Sequence, residues 1–379
     1  MQRVDPVGIE LRTKGLARKR GQFMIKGPNR VWSIDGHDKL SRFGFQIYGA
    51  IDAYSRYMVW CFVGHSNRTA VSVNKQFLNA VRSHDIVPQL IRSDKGTETT
   101  LLCNSQLVLH RAVNPEISIR EVYSYGTSTK NQRIESWWNL LANAQTDTWR
   151  EIFNDLELEG YFDGGAQDII AMQFIYMDMI TQHIHTFVQI HNSHRIRRQR
   201  KRDHYLPTGK PVELYNYPPT GIIDYGLSPN KAVLDALDTQ MSSYNLDEYL
   251  TSDTRILCEE ILTNGGFPIA YSFSEQHLEA YLYLRTGLTC YIGLITVLPT
   301  PIGAERWIEE CMASNETDQE TIRYLNETAG KEWDILDNKF PLSGEMVEFD
   351  ETKVIDYDGM CSSDDDECDD DGMILNIFS

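Results

Sequence analysis

The chain has 379 residues, enough for one large domain or two ordinary ones. With 41% apolar and 24% charged residues, no run of 18 apolar residues and no apolar leader at its start, it reads as a soluble globular protein, without a membrane-spanning helix or a secretion signal. The net charge of −18 argues at first against nucleic acid, but the charge is uneven. Residues 1–30 carry +6, whereas residues 345–379 carry −12. That asymmetry is compatible both with a nucleic-acid-binding body bearing an acidic appendage and with two solvated termini. Seven scattered cysteines without a CxxC pair suit reduced thiols inside a cell.

In chain order, residues 1–30 form a basic segment closed by Gly27-Pro28-Asn29. It lacks the His and CxxC spacing of a zinc module. Three strands follow, VWSIDGH at 31–37, FGFQIYGAI at 43–51 and RYMVWCFVG at 56–64, joined by turns short enough for an antiparallel meander. Residues 67–84 have helical periodicity, with Val71, Phe77, Leu78 and Val81 on one face. The apolar run VPQLI at 87–91 reads as a buried strand that ends in Asp94 and a glycine turn. A helix over 98–112, a fifth strand at 117–123 and a mobile polar loop at 124–130 come next. Helices are expected over 131–150, 151–158 and 167–199, then a Pro-rich linker or strap over 201–225. Residues 226–335 are expected to form a smaller C-terminal unit, and the acidic tail 345–379 to be disordered.

This order describes an α/β fold with a five-stranded mixed sheet flanked by helices. The crossover through 67–84 makes the Asp94 strand parallel to a meander strand. Adjacency to the first strand would then set Asp35 beside Asp94, at the end of the sheet where α/β folds place ligands. Glu135, early in the helix after the polar loop, is the third acid. Three carboxylates can hold hard cations such as Mg2+, and two such ions can clamp a phosphoryl displacement. Each acid also has a plainer reading: Asp35 and Asp94 as turn formers, Glu135 as a helix-terminus charge. Asp52 is the rival. It is out of step with Asp35 about the first hairpin by about five residues, roughly 17 Å at strand rise, so it belongs to the other end of the sheet, in a turn with Ser55 or Arg56.

The stretches RVDPVGIELR (3–12), GPNRVWSIDGHDKL (27–40), GAIDAYSRYMVW (49–60), IRSDKGTE (91–98), NQRIESWW (131–138) and IHNSHRIR (190–197) together resemble the integrase catalytic cores of retroviruses and transposons. The likeness is closer to the integrase-core proteins of transposon-derived genes. It covers about 3–215 and implies an RNase H-like fold in which Asp35, Asp94 and Glu135 are the catalytic and metal-binding triad. Forty residues separate Asp94 from Glu135, more than is usual in retroviral cores. The resemblance implies metal-dependent DNA end processing and strand transfer with two Mg2+ or Mn2+ ions, double-stranded DNA as partner, and a homo-oligomer. Family members carry further sequence before the RVDP stretch, so a DNA-end-recognition module is expected to be missing. Lys95, Lys130, Asn131, Gln132 and Arg133 are candidate phosphate contacts around the acids, each equally readable as a polar loop or helix start. The run RIRRQRKR at 195–202, with Arg197 and Arg198, suits DNA backbone or nuclear import. Histidines 183, 185, 191 and 194 lack a zinc pattern and read as polar contacts. Two alternatives stay open: a catalytically silent DNA- or chromatin-binding protein that keeps the core, and an RNA–DNA hybrid nuclease.

Overall fold

A computed structural model describes residues 25–65, 70–94, 97–126, 131–197, 207–242, 244–273 and 276–291. The basic segment up to residue 24 and the acidic tail lie outside them. The strands are β1 (Val31–His37), β2 (Gln46–Asp52), β3 (Met58–Gly64), β4 (Leu90–Ser93) and β5 (Tyr123–Tyr125). They form one mixed sheet in the order β3-β2-β1-β4-β5. The meander β1–β2–β3 is antiparallel, and β4 lies parallel to both β1 and β5. This is an RNase H-like architecture.

The two faces of the sheet bury different side chains, as a period of two requires. Ile47, Ile51, Met58 and Val63 pack with α4 (Gln132–Leu141), α5 (Asp147–Leu158) and α6 (Ala166–Ser193). Trp32, Ile34, Tyr48, Ala50 and Val59 pack with α1 (Ala70–His84) and α2 (Thr100–Arg111). The apolar face expected of α1 is buried at Val71, Phe77, Leu78 and Val81. Full burial of each such side chain stabilises by roughly 1.5–3 kcal/mol, so the sheet is clamped from both sides. α6 is pinned along β3 by His185, whose Nε2 lies 3.1 Å from the Cys61 carbonyl, and by His191, whose Nε2 lies 2.8 Å from the Arg56 carbonyl.

Three local expectations change. The fifth strand is not 117–123: Ile119–Val122 form one helical turn, α3, and the strand starts at Tyr123. Ser118 and Glu121 explain it, because the Ser118 N–H donates to Glu121 Oε2 at 3.0 Å, a helix-start contact. β5 therefore takes Ser124 and Tyr125 out of the expected loop, whose remainder at 127–130 is outside the described residues. The helix expected over 131–150 passes through a π turn, Ala142–Thr146, before continuing as α5.

The Pro-rich segment is a strap. It contains α7 (Pro211–Asn216) and stacks Tyr215 on Tyr57 at 4.5 Å, and just past it Leu227 pairs with Val87. Beyond it, the described part of the span expected as a C-terminal unit shares the core's two clusters. α8 (Lys231–Thr239) contributes Leu234 and Leu237 to the α1–α2 side. α9 (Ser252–Asn264) and α10 (His277–Thr289) contribute Cys258, Leu262, Tyr281 and Leu284 to the α6 side.

Candidate functional site

β1 is central and buried, and Asp35 is its one carboxylate, 9% exposed. Its antiparallel partner on β2 is Gly49. On the other side, Ser33 is in register with Arg92 of β4, so the same parallel alignment carried two residues further sets Asp35 level with Asp94. The end of β4 is tied down from β5: the Tyr123 hydroxyl donates to Ser93 Oγ at 2.9 Å, and Ser93 Oγ donates to the Asp94 carbonyl at 2.9 Å.

Glu135 reaches the same end of the sheet through α4. Asn131, at the start of that helix, donates its Nδ2 to the Ile34 carbonyl at 2.8 Å, one residue before Asp35. One helical turn after Glu135, the Trp138 indole Nε1 donates to Asp35 Oδ2 at 3.1 Å. The ring of Trp138 has room because residue 49 is glycine. A Cβ there would lie 2.6 Å from Met58 Cε, 2.9 Å from the Trp60 carbonyl oxygen and 3.4 Å from Trp138.

The electrostatics tie the three acids together. Burial raises the Asp35 carboxyl first, the charges of Asp94 and Glu135 raise it further, and it is pushed up to about 8 against the Gly36 N–H and the Trp138 indole. Asp94 is raised by burial, and Glu135 by burial and then by Asp94. Glu98, in the 3-10 turn Thr97–Thr99, is raised by burial and then by Asp94 and Asp38. None of the three acids is in a salt bridge with a described residue. Nor, among the described residues, does any group of three His, Cys, Asp or Glu close into a ready metal cage. The donor set still fits a hard divalent cation: all-oxygen, acidic, partly desolvated and, among the described residues, without a cationic partner.

The remaining candidates divide by burial. Asn131 and Arg133 are 1% and 5% exposed, which turns both inward, away from a phosphate-facing surface. Gln132 is half-buried, and Arg197 is exposed. Lys95, Lys130 and Arg198 lie outside the described residues. Asp52 lies towards the other end of the sheet from Asp35, but by three residues of register rather than the five counted about the hairpin: it pairs with Trp32 where Asp35 pairs with Gly49, and it is fully buried. Its Oδ1 accepts from the Asn29 N–H at 2.8 Å, and its Oδ2 from the Ser55 N–H at 2.8 Å and Ser55 Oγ at 2.6 Å.

Sequence reasoning took Trp138 for part of an apolar stripe and gave His37 and Glu98 no role. The signals were spacing: one helical turn from Glu135, and two strand residues from Asp35.

Residues 22–209 match the family model of the integrase core domain. This stretch belongs to the integrase core family. The match spans the whole sheet and the helix that carries Glu135, so the sheet-end acids lie inside it. The core is thus of the integrase and transposase type of polynucleotidyl transferase, a family that acts on DNA and generally uses divalent metal ions. Comparison with curated proteins finds no match to the chain. No described helix is long and apolar enough to cross a membrane.

Proposed function

We propose that this integrase core is a metal-dependent polynucleotidyl transferase that processes DNA ends and transfers strands. In this reading Asp35, Asp94 and Glu135 are its catalytic and metal-binding residues. The observation that carries the reading is the parallel register that sets Asp35 level with Asp94 in a buried patch where Glu135 also acts on Asp35. Two Mg2+ or Mn2+ ions held there would neutralise the patch, draw in a phosphodiester and stabilise its attacking and leaving oxygens.

The protein's own contribution is positioning. β1 and β4 hold two acids on adjacent strands, and Asn131 anchors the helix that delivers the third. Gln132 and Arg197, with Lys95, Lys130 and Arg198, are proposed to meet the DNA backbone, where positive charge and amide donors fix register. Asn131 and Arg133 are proposed as scaffold. Double-stranded DNA as substrate, a homo-oligomeric assembly and a nuclear location through 195–202 complete the proposal.

Purified protein incubated with Mg2+ or Mn2+ and labelled duplex ends is the test. Nicking or joining lost in Asp94→Asn supports the triad. Salt-sensitive duplex binding with no cleavage in either metal would favour the alternative, a silent DNA- or chromatin-binding core.

A further inference from the structure

We infer that Trp138 and His37 are positioning residues that aim the Asp35 carboxylate at its metal, an inference that rests on the metal site proposed above. Trp138 is 3% exposed and held on two sides. Its edge donates to Asp35 Oδ2 at 3.1 Å, and its face stacks on the His37 ring with centroids 5.1 Å apart and planes 20° apart. His37 is 5% exposed and lies two residues beyond Asp35, on the same face of β1. Its Nε2 is 3.2 Å from Thr146 Oγ1, a fully buried hydroxyl in the π turn.

The ring that touches Asp35 is therefore fixed in plane by His37, and His37 is fixed by the π turn. Single π turns recur inside α-helices at functional sites. Here the wider turn brings Thr146 to β1 while α4 keeps Glu135 and Trp138 one turn apart. One helix thus supplies a carboxylate and the donor that orients a second carboxylate. The indole N–H on Oδ2 fixes the rotation of the carboxylate, and so the direction in which its remaining lone pairs meet an ion. Outer partners of this kind fix ligand orientation, and their loss costs about 10–100-fold in metal affinity.

The neighbouring residue provides the control. Trp137 is fully buried beside Trp138, packs edge-on against it at 5.0 Å, and its Nε1 has no hydrogen-bond partner among the described residues. Replacing it by Phe perturbs the same packing and removes no donor in use.

The experiment is a Mn2+ titration of the full chain, with free Mn2+ followed by EPR, for wild type, Trp138→Phe and Trp137→Phe, with melting curves on each. Trp138→Phe is expected to bind about 10–100-fold more weakly, and Trp137→Phe within about twofold of wild type. In the duplex assay the deficit of Trp138→Phe should shrink as Mn2+ is raised towards saturation, which a general loss of packing would not produce. His37→Phe, which keeps a ring but loses the Thr146 contact, should weaken binding by less than Trp138→Phe, and it decides the matter if Trp138→Phe does not fold. Equal weakening in Trp137→Phe and Trp138→Phe, or wild-type affinity in both Trp138→Phe and His37→Phe, overturns the inference and leaves the metal site standing. Absence of Mn2+ binding by the wild-type chain overturns both.

Discussion

Two carboxylates of one sheet, Asp35 on β1 and Asp52 at the end of β2, divide structure from chemistry. Both are buried, and burial is the first cause that raises each above the ordinary carboxylate range, Asp35 to about 8 and Asp52 to about 6. They part in what answers the charge. Asp52 accepts from two donors in its own turn, the Ser55 N–H and hydroxyl, and from the Asn29 N–H brought in beneath it, and closes the β2–β3 hairpin. Asp35 faces Asp94 and Glu135, with one indole and one backbone N–H set against them. A buried acid surrounded by donors stabilises a fold, whereas one surrounded by acids costs stability when ionised, which a bound cation or a proton recovers.

The largest expected effect on stability falls at Asp52. Asp52→Ala leaves two backbone donors and a hydroxyl unpaired in the interior, and should cost about 3 kcal/mol or more in urea unfolding. A loss below about 1 kcal/mol would remove Asp52 from its structural role.

Asp35→Asn should act in the opposite direction in the metal-free protein. A carboxyl raised to about 8 when folded binds more protons in the folded than in the unfolded state between about pH 4 and 8. Its contribution to stability therefore falls as pH rises through that window, and the penalty is complete above about pH 8. Removing the charge should stabilise by about 2 kcal/mol at pH 8.5 and by little at pH 4, read as unfolding midpoints at the two pH values. Destabilisation at pH 8.5 would break the contrast between the two acids.

Gly49→Ala tests the space between them. The added Cβ meets the Trp60 carbonyl, which is backbone and has little freedom to yield, so about 1–3 kcal/mol should be lost. The smallest effect is expected at the rim: Arg197→Ala should weaken duplex binding a few-fold and lower the salt slope by about one. An unchanged slope would take Arg197 off the DNA path.

Much of this was legible in the sequence because the informative patterns are local. Period-two strands with short turns led to the meander, and counting residues about one hairpin separated Asp52 from Asp35. The parallel partnership of the Asp35 and Asp94 strands followed from the single crossover helix. What escaped depends on contacts distant in sequence or on a few atoms. The short α3 turn hangs on one Ser118–Glu121 contact that overrides the β-branched run around it. The π turn matters through His37, more than 100 residues earlier. Trp138 carries an apolar helical pattern whatever its N–H points at. The helices between 231 and 289 have their own amphipathic faces, and nothing local says that those faces complete the core already built.

The most direct test is the rate of Mg2+-dependent nicking of a labelled duplex end by wild type and by Asp94→Asn, whose side chain keeps its shape and loses its charge. The account predicts a loss of at least ~1,000-fold with the fold intact. A rate within about tenfold of wild type would contradict the claim that Asp35, Asp94 and Glu135 form one metal site.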